Sequence, residues 1–226
     1  MGRADGDETT SLPRDKVGEI DRRLKDHYGS PRRGRLDPVS ELVSAILSQN
    51  TNDRLRNRAY DRLRERFPSW EAVRDAPIGE IVDAIRIAGL APQKGPRMKR
   101  ALEHITREQG ELSLDFLGTL PIDEAKDWLM DMDGVGPKTA AIVLLFALDR
   151  PAFPVDTHVH RVSRRLGLIA ERTGRERAHD LLEGLVPKEW YRGFHLRLIR
   201  HGREVCRASA PSCELCPLTD LCRYYA

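Results

Sequence analysis

The most informative stretch of the 226-residue sequence is MDGVGPKTA, residues 132–140. Two glycines around one valine allow a tight turn, and Pro137 suits the first turn of a following helix. The unpaired N–H groups at the start of that helix can bind an anion such as a phosphate. A Gly-x-Gly turn is also compatible with an ordinary connection between helices. The segment predicts a helical hairpin with a candidate phosphate site at Gly134, Val135 and Gly136.

Apolar residues on both sides of this hairpin recur three and four positions apart, which is the period of an α-helix. Val17, Ile20, Leu24 and Tyr28 form one such stripe. Residues 137–148 are expected to form a single helix after the turn. No long stretch alternates with period two, as a half-buried strand does. We therefore expect an all-α fold.

The composition is that of a charged globular protein, with 40% hydrophobic and 32% charged residues. No apolar run is long enough to cross a bilayer, and residues 1–10 lack the pattern of a secretory signal. We expect a cytoplasmic, nucleoid-associated protein whose residues 1–12 are disordered.

Basic residues cluster at 22–35, 94–100 and 161–165, although the net charge is only +3. Such clusters can neutralise the phosphates of a nucleic acid. Solvated helix faces would give the same pattern. The clusters alone do not decide between the two interpretations.

All four cysteines lie near the C-terminus, with the spacing Cys-x6-Cys-x2-Cys-x5-Cys, at Cys206, Cys213, Cys216 and Cys222. Disulfides would be reduced in the cytoplasm, so a four-thiolate metal site is favoured. Thiolates bind zinc as well as iron–sulfur clusters. The chemistry of the residues leaves these two alternatives open.

A second motif, PVDTHVHRV, occupies residues 154–162, and SQNT occupies residues 48–51. With the hairpin and the cysteines, these motifs resemble the endonuclease III family of helix-hairpin-helix DNA glycosylases. The resemblance extends from about Leu36 to the C-terminus. It implies a [4Fe–4S] cluster on the four cysteines. The loop between the first two cysteines, residues 207–212, offers only Arg207 to a phosphate, which is fewer basic residues than is usual in the family.

The resemblance implies catalytic roles for Lys138 and Asp156. The lysine amine would attack C1′ of a damaged nucleoside, and the carboxylate would stabilise the developing positive charge. The positive end of the helix at Lys138 is expected to lower the pKa of the amine. The structural alternatives are a surface lysine for Lys138 and a helix N-cap for Asp156.

Enzymes of this family turn the damaged nucleotide out of the duplex, and side chains fill the gap. The resemblance assigns this task to Gln49 and Leu90. His158 either lines the pocket or only packs and hydrogen-bonds near Asp156. The alternative for Gln49 is a side chain that forms a hydrogen bond at a helix end. The alternative for Leu90 is a core residue. Residues 91–94 (APQK) differ from the Tyr-Asn-type segment usual in the family.

The resemblance implies two helical lobes. A six-helix barrel lobe with the hairpin would span residues 36–150. The cluster lobe would combine residues 13–35 with residues 151–226, including the [4Fe–4S] loop at 206–222. A cleft between the lobes would hold Lys138 and Asp156.

We expect a monomeric bifunctional glycosylase and abasic-site lyase, acting on double-stranded DNA with an oxidised pyrimidine or an abasic site. A monofunctional adenine-mismatch glycosylase is one alternative, although such enzymes usually lack the lysine and carry a further domain. A non-catalytic helix-hairpin-helix DNA-binding protein is the other, and the presence of both Lys138 and Asp156 argues against it.

Overall fold

The computed structural model describes residues 14–31 and 33–225. The described residues form eleven α-helices, which in chain order are α1 (Arg14–Tyr28), α2 (Pro38–Ser48), α3 (Asp53–Arg66), α4 (Trp70–Asp75), α5 (Ile78–Ile85), α6 (Ala91–Gln109), α7 (Ile122–Met130), α8 (Pro137–Ile142), α9 (Thr157–Arg165), α10 (Arg175–Leu185) and α11 (Tyr191–Glu204). Within these residues there is no β-strand. The predicted all-α fold is confirmed. The predicted disordered segment, residues 1–12, lies outside the described residues.

A first hydrophobic core gathers side chains from α2 to α8. Helix α2 lies at its centre, and every residue from Pro38 to Leu47 is buried. A helix that is apolar on most of its surface is stable only when other elements surround it. Its start is fixed by Asp37, whose side chain accepts a hydrogen bond of 2.9 Å from the Ser40 N–H. This packing places the end of α2, and the loop that follows, at a defined position.

A second hydrophobic core combines α1 with α9, α10 and α11. The N-terminal helix thus packs against the C-terminal part of the chain. Asp21 on α1 and Arg197 on α11 form a buried ion pair inside this contact. The lobe boundaries at 35/36 and 150/151 stay a prediction, although the two cores group the helices in a similar way.

Helix α8 does not continue regularly to residue 148, as the sequence pattern suggested. It ends at Ile142 and passes into a π-helical turn at Val143–Ala147. In this turn Val143 and Leu144 belong to the first core, whereas Leu145 and Phe146 belong to the second. The wider turn lets one short segment present side chains to both cores, and such π-turns are frequent at functional sites.

None of the helices in the described ranges is long and apolar enough to cross a membrane.

The buried ion pair between Asp21 and Arg197 gives a stability prediction. Asp21→Ala should lower the free energy of unfolding by about 3 to 5 kcal/mol, because it leaves the Arg197 guanidinium buried without its partner. Urea denaturation measures this change. Asp26→Ala is the matched control on the same helix, since Asp26 pairs with Arg22 in solvent and should contribute little. Equal effects of the two substitutions would contradict the prediction.

Candidate active site and metal centre

The hairpin turn between α7 and α8 is built around Gly134, which has a positive φ of 79°. The Val135 N–H donates to the Met132 carbonyl at 3.0 Å, and the Val135 side chain is buried in the first core. Gly136 is extended and precedes α8. Among the described residues, the N–H groups of Gly134 and Gly136 have no acceptor. The turn therefore offers backbone donors, whereas the Val135 side chain is unavailable to a ligand.

Lys138 lies in the first turn of α8, and its side chain lines a large cavity. Burial lowers the pKa of the Lys138 amine, while the negative charge of Asp156 acts in the opposite direction. Arg56 and Arg33 lower this pKa further through their positive charges. The direction agrees with the sequence-based expectation, but burial, not the helix end, is the main cause. A lowered pKa increases the fraction of neutral, nucleophilic amine at neutral pH.

Asp156 caps the N-terminus of α9. One carboxylate oxygen, Oδ1, accepts hydrogen bonds from the His158 and Val159 N–H groups at 2.9 and 2.8 Å. No described residue donates to the second oxygen, Oδ2, and Asp156 lines the same cavity as Lys138. The capping function and an interaction with a ligand in the cavity are therefore compatible.

The cavity has a volume of about 830 Å³ and draws its walls from both halves of the chain. Its charged lining residues are Arg33, Asp53, Arg56, Lys138, Asp156, Arg175, Glu176 and Arg203. Positive side chains outnumber negative ones in this set. Such a lining favours an anionic ligand.

Three histidines, His158, His179 and His195, also line this cavity. His158 accepts a hydrogen bond at Nδ1 from the Arg161 guanidinium at 3.1 Å, and burial lowers its pKa. His195 on α11 is buried, its Nδ1 lies 2.9 Å from the Pro154 carbonyl, and burial lowers its pKa to about 4. A neutral His195 that donates from Nδ1 has Nε2 free as an acceptor. Sequence reasoning missed His195, because nothing local connects it with the motif that contains Asp156.

The loop after α2 carries Gln49 and Asn50, which both line the cavity. The Gln49 amide donates to the Gly134 carbonyl at 2.9 Å and lies 3.5 Å from the Arg97 guanidinium. Gln49 is thus hydrogen-bonded to the hairpin in this structure. Asn50 is exposed and has a φ of 50°. Sequence reasoning missed Asn50, although asparagine is one of the few residues that adopt this left-handed conformation readily.

Leu90 lies in the loop between α5 and α6, outside both cores. Its side chain is 44% exposed, and its φ is 52°. An exposed leucine in a left-handed conformation is unusual, and such strain tends to occur at functional sites. The alternative of a core residue is wrong for Leu90.

The basic clusters of the sequence are largely engaged within the protein. Lys94 is 1% exposed, so it belongs to the interior and not to a charged surface. Arg161 donates to the Gly202 and Cys206 carbonyls, and Arg165 donates to the Arg207 carbonyl. These side chains stabilise the fold, and a general role of the clusters in neutralising phosphate is not supported.

The four cysteines are unpaired thiols that line one cavity next to α9 and α11. The remaining walls are mostly apolar, with Val162, Leu166, Val205 and the two C-terminal tyrosines. No three acidic, histidine or cysteine side chains of the described ranges are close enough to hold a single metal ion. Four thiols that line one largely apolar cavity match the all-cysteine ligand set of an iron–sulfur cluster.

Two nitrogen-bearing side chains lie close to cysteine sulfurs. The Arg165 guanidinium lies 3.3 Å from Cys206 Sγ, and His201 Nε2 lies 3.6 Å from Cys216 Sγ. The other His201 nitrogen contacts the Tyr28 hydroxyl at 3.0 Å. Hydrogen bonds of this kind stabilise negative charge on metal-bound sulfur.

The loop between the first two cysteines uses its only arginine internally. The Arg207 guanidinium donates to the Ala210 carbonyl at 3.3 Å and to the Ser212 hydroxyl at 3.0 Å. These bonds shape the loop, so Arg207 must exchange them before it can contact a phosphate.

Residues 43–188 match the HhH-GPD superfamily of base excision DNA repair proteins. A putative DNA glycosylase from Arabidopsis thaliana is 36% identical over 78% of this chain, and the chain covers 64% of that relative. Endonuclease III from Sulfolobus acidocaldarius is 32% identical, and the match covers 81% of each chain.

A solved structure of a trapped covalent intermediate of endonuclease III with DNA has the same fold, with a TM-score of 0.83. It is 30% identical, and the match covers 95% of this chain and 97% of the other. The resemblance inferred from the motifs is confirmed. The chain belongs to the HhH-GPD superfamily of base excision DNA repair proteins and is a DNA glycosylase related to endonuclease III.

Proposed function

We propose that this glycosylase is bifunctional, removing oxidised pyrimidines from double-stranded DNA and then cleaving the strand at the resulting abasic site. The observation that carries the proposal is the half-buried Lys138 amine, which has a lowered pKa and shares a cavity with Asp156. The lesion class follows from the resemblance to endonuclease III.

Lys138 supplies the nucleophile in the proposed reaction. Its neutral amine forms a bond to C1′, and the base leaves with the electron pair of the glycosidic bond and takes up a proton. Ring opening gives a Schiff base, which acidifies the C2′ proton. Loss of that proton forms a C1′–C2′ enamine, and expulsion of the 3′ phosphate breaks the strand by β-elimination.

Asp156 stabilises the positive charge that develops on the sugar as the base leaves. Its Oδ1 atom is held by the two N–H groups of α9, so the position of Oδ2 is fixed before the substrate binds. The same carboxylate attracts the protonated amine of Lys138. The pair thus combines a nucleophile with a charge stabiliser in one cavity.

The residues around the cavity suit a nucleotide turned out of a duplex. The free N–H groups of Gly134 and Gly136 would bind backbone phosphate, as would the arginines of the lining. Gln49, with its neighbour Asn50, and Leu90 would fill the gap from two sides, while His158 lies beside the displaced nucleotide. A trapped endonuclease III–DNA complex among the similar structures supports the choice of DNA as substrate.

We further propose that Cys206, Cys213, Cys216 and Cys222 hold a [4Fe–4S] cluster. Their free thiols, their common cavity and the N–H donors from Arg165 and His201 support this assignment. Such a cluster supplies four metal–thiolate bonds that fix a segment containing only short 3₁₀ turns. It takes no part in the chemistry assigned to Lys138.

Lys138→Gln should abolish trapping of the enzyme on an abasic duplex by borohydride, with a loss of about 1,000-fold or more, because the amide cannot form a Schiff base. A denaturing gel measures the covalent adduct. Lys126→Gln on α7 is the control and should trap normally. Undiminished trapping by the Lys138 variant would refute the lyase proposal. If the wild-type protein left a duplex with thymine glycol intact, the proposed lesion class would be refuted.

Asp156→Asn should shift the pH profile of trapping to lower pH. Removing the negative charge removes an interaction that raises the pKa of Lys138, so the amine should lose its proton at lower pH. Asparagine is itself a good N-cap, so α9 should remain folded. Single-turnover trapping rates across a pH series measure the midpoint, with Asp149→Asn as a distant control. A midpoint that rises would contradict the assigned interaction.

The cluster proposal predicts protein-bound iron and sulfide in about four copies each per chain, with broad absorbance near about 400 nm. Cys213→Ser should lose this absorbance and lower the melting temperature, because one ligand of the C-terminal segment is removed. Ser209→Ala in the same loop is the control, since Ser209 is exposed, and it should keep both the absorbance and the melting temperature. Stoichiometric zinc without iron in the protein as purified would overturn the assignment.

A further inference from the structure

Two adjoining loops, of which the first lines the cavity, each carry one residue in the left-handed conformation. Asn50 follows α2 with a φ of 50°, and Leu90 precedes α6 with a φ of 52°. Both side chains are exposed. Asparagine adopts this conformation more readily than most residues, but leucine rarely does, so the surrounding structure must hold Leu90 in place.

The Lys94 side chain lies beneath both loops. Its ammonium donates to the Leu47 carbonyl at 2.8 Å and to the Thr51 hydroxyl at 2.6 Å, on either side of Asn50. It also donates to the Ala88 carbonyl at 3.0 Å, two residues before Leu90. All three N–H groups are therefore used, and together they join the two loops through one nitrogen atom.

This lysine occupies an unusual environment. It is 1% exposed, and burial lowers its pKa to about 8. Its described partners are two carbonyls and a hydroxyl, not a carboxylate. The Thr51 hydroxyl also contacts the Ala88 carbonyl, so the two loops are joined a second time at this point. A cation with a carboxylate partner would be easier to bury, and this arrangement therefore needs another explanation.

We propose that Lys94 is a positioning residue that fixes the loop of Gln49 and Asn50 relative to the loop of Leu90, so that both enter the duplex in register. This inference rests on the proposed function, because it assumes that these side chains fill the gap left by the displaced nucleotide. Lys94 acts through the two backbones and touches neither the substrate nor Lys138.

The proposal separates reactions that need a filled gap from those that do not. A lesion in a duplex requires both loops to insert, whereas an abasic site in a single strand has no opposite strand and no gap to fill. Loss of the Lys94 hydrogen bonds should therefore impair the duplex reaction alone. A general defect in folding would impair both.

Lys94→Met keeps the length of the side chain and removes the three donors. We expect kcat/KM on a lesion-bearing duplex to fall by roughly 10- to 100-fold, since misplacement of a positioning element by about 1 Å has effects of this size. Borohydride trapping on a single-stranded abasic oligonucleotide should be unchanged. The fluorescence of 2-aminopurine placed opposite the lesion should report reduced opening of the duplex.

Lys99→Met is the matched control on the same helix. The Lys99 ammonium also donates to two backbone carbonyls, those of Arg74 and Ala76, but neither lies in a loop at the cavity. This variant should retain duplex activity. Thr51→Val provides a second test with little change in volume, because it removes one Lys94 acceptor, and it should also lower duplex activity.

Normal activity of Lys94→Met on the lesion-bearing duplex would overturn the proposal. If Lys94→Met does not fold, normal duplex activity of Thr51→Val would overturn it. An equal loss on single-stranded and duplex substrates would also overturn it, as it would indicate a general defect. Failure of the wild-type protein to trap on the single strand would instead refute the proposed lyase function, so the two failures are distinguishable.

Discussion

The site depends on one half-buried amine, which a helix that contributes to both hydrophobic cores holds in the cavity. Lys138 is the second residue of α8, and this helix passes into a π-turn that contributes side chains to both cores. The position of the amine is therefore set by the packing of the whole protein. Burial disfavours the protonated form, and Asp156 partly offsets this effect. The balance between these opposing effects determines how much neutral amine is available.

Asp156 links this balance to the local structure of α9. Because Oδ1 is held by two N–H groups, the carboxylate has one orientation, and Oδ2 remains for the cavity. The helix cap and the proposed catalytic carboxylate, which are alternatives when only the sequence is considered, involve different oxygen atoms of one side chain. His195 reinforces the preceding segment through its contact with the Pro154 carbonyl. The cavity wall that faces Lys138 is thus fixed from α9 and from α11.

The sequence predicted the parts of the site that depend on local chemistry. Gly134 marked the hairpin, because only a turn with positive φ needs glycine there, and the four cysteines marked the segment that is proposed to hold the cluster. It did not predict the π-turn, since residues 143–147 are uniformly apolar and contain no residue that interrupts a helix. It also gave the wrong main cause for the lowered pKa of Lys138. The burial of a side chain depends on parts of the chain that are distant in sequence, and the apolar pattern of one helix does not reveal it. Lys94 was misplaced for the same reason, because a lysine in a basic run resembles a surface residue.

Lys94 also shows why a buried polar group can persist in a protein interior. A methionine at this position would avoid the cost of burying an ammonium group. It would, however, leave the Leu47 and Ala88 carbonyls without this donor and would separate the two loops. The exposed side chains of Asn50 and Leu90 contribute little packing of their own. The left-handed conformation must therefore be stabilised by hydrogen bonds from the protein interior to the two loops. The ammonium group supplies that support with three directional bonds from a single atom, which no apolar side chain can do. Its cost in stability is therefore best understood as the cost of holding two strained loops ready for a substrate.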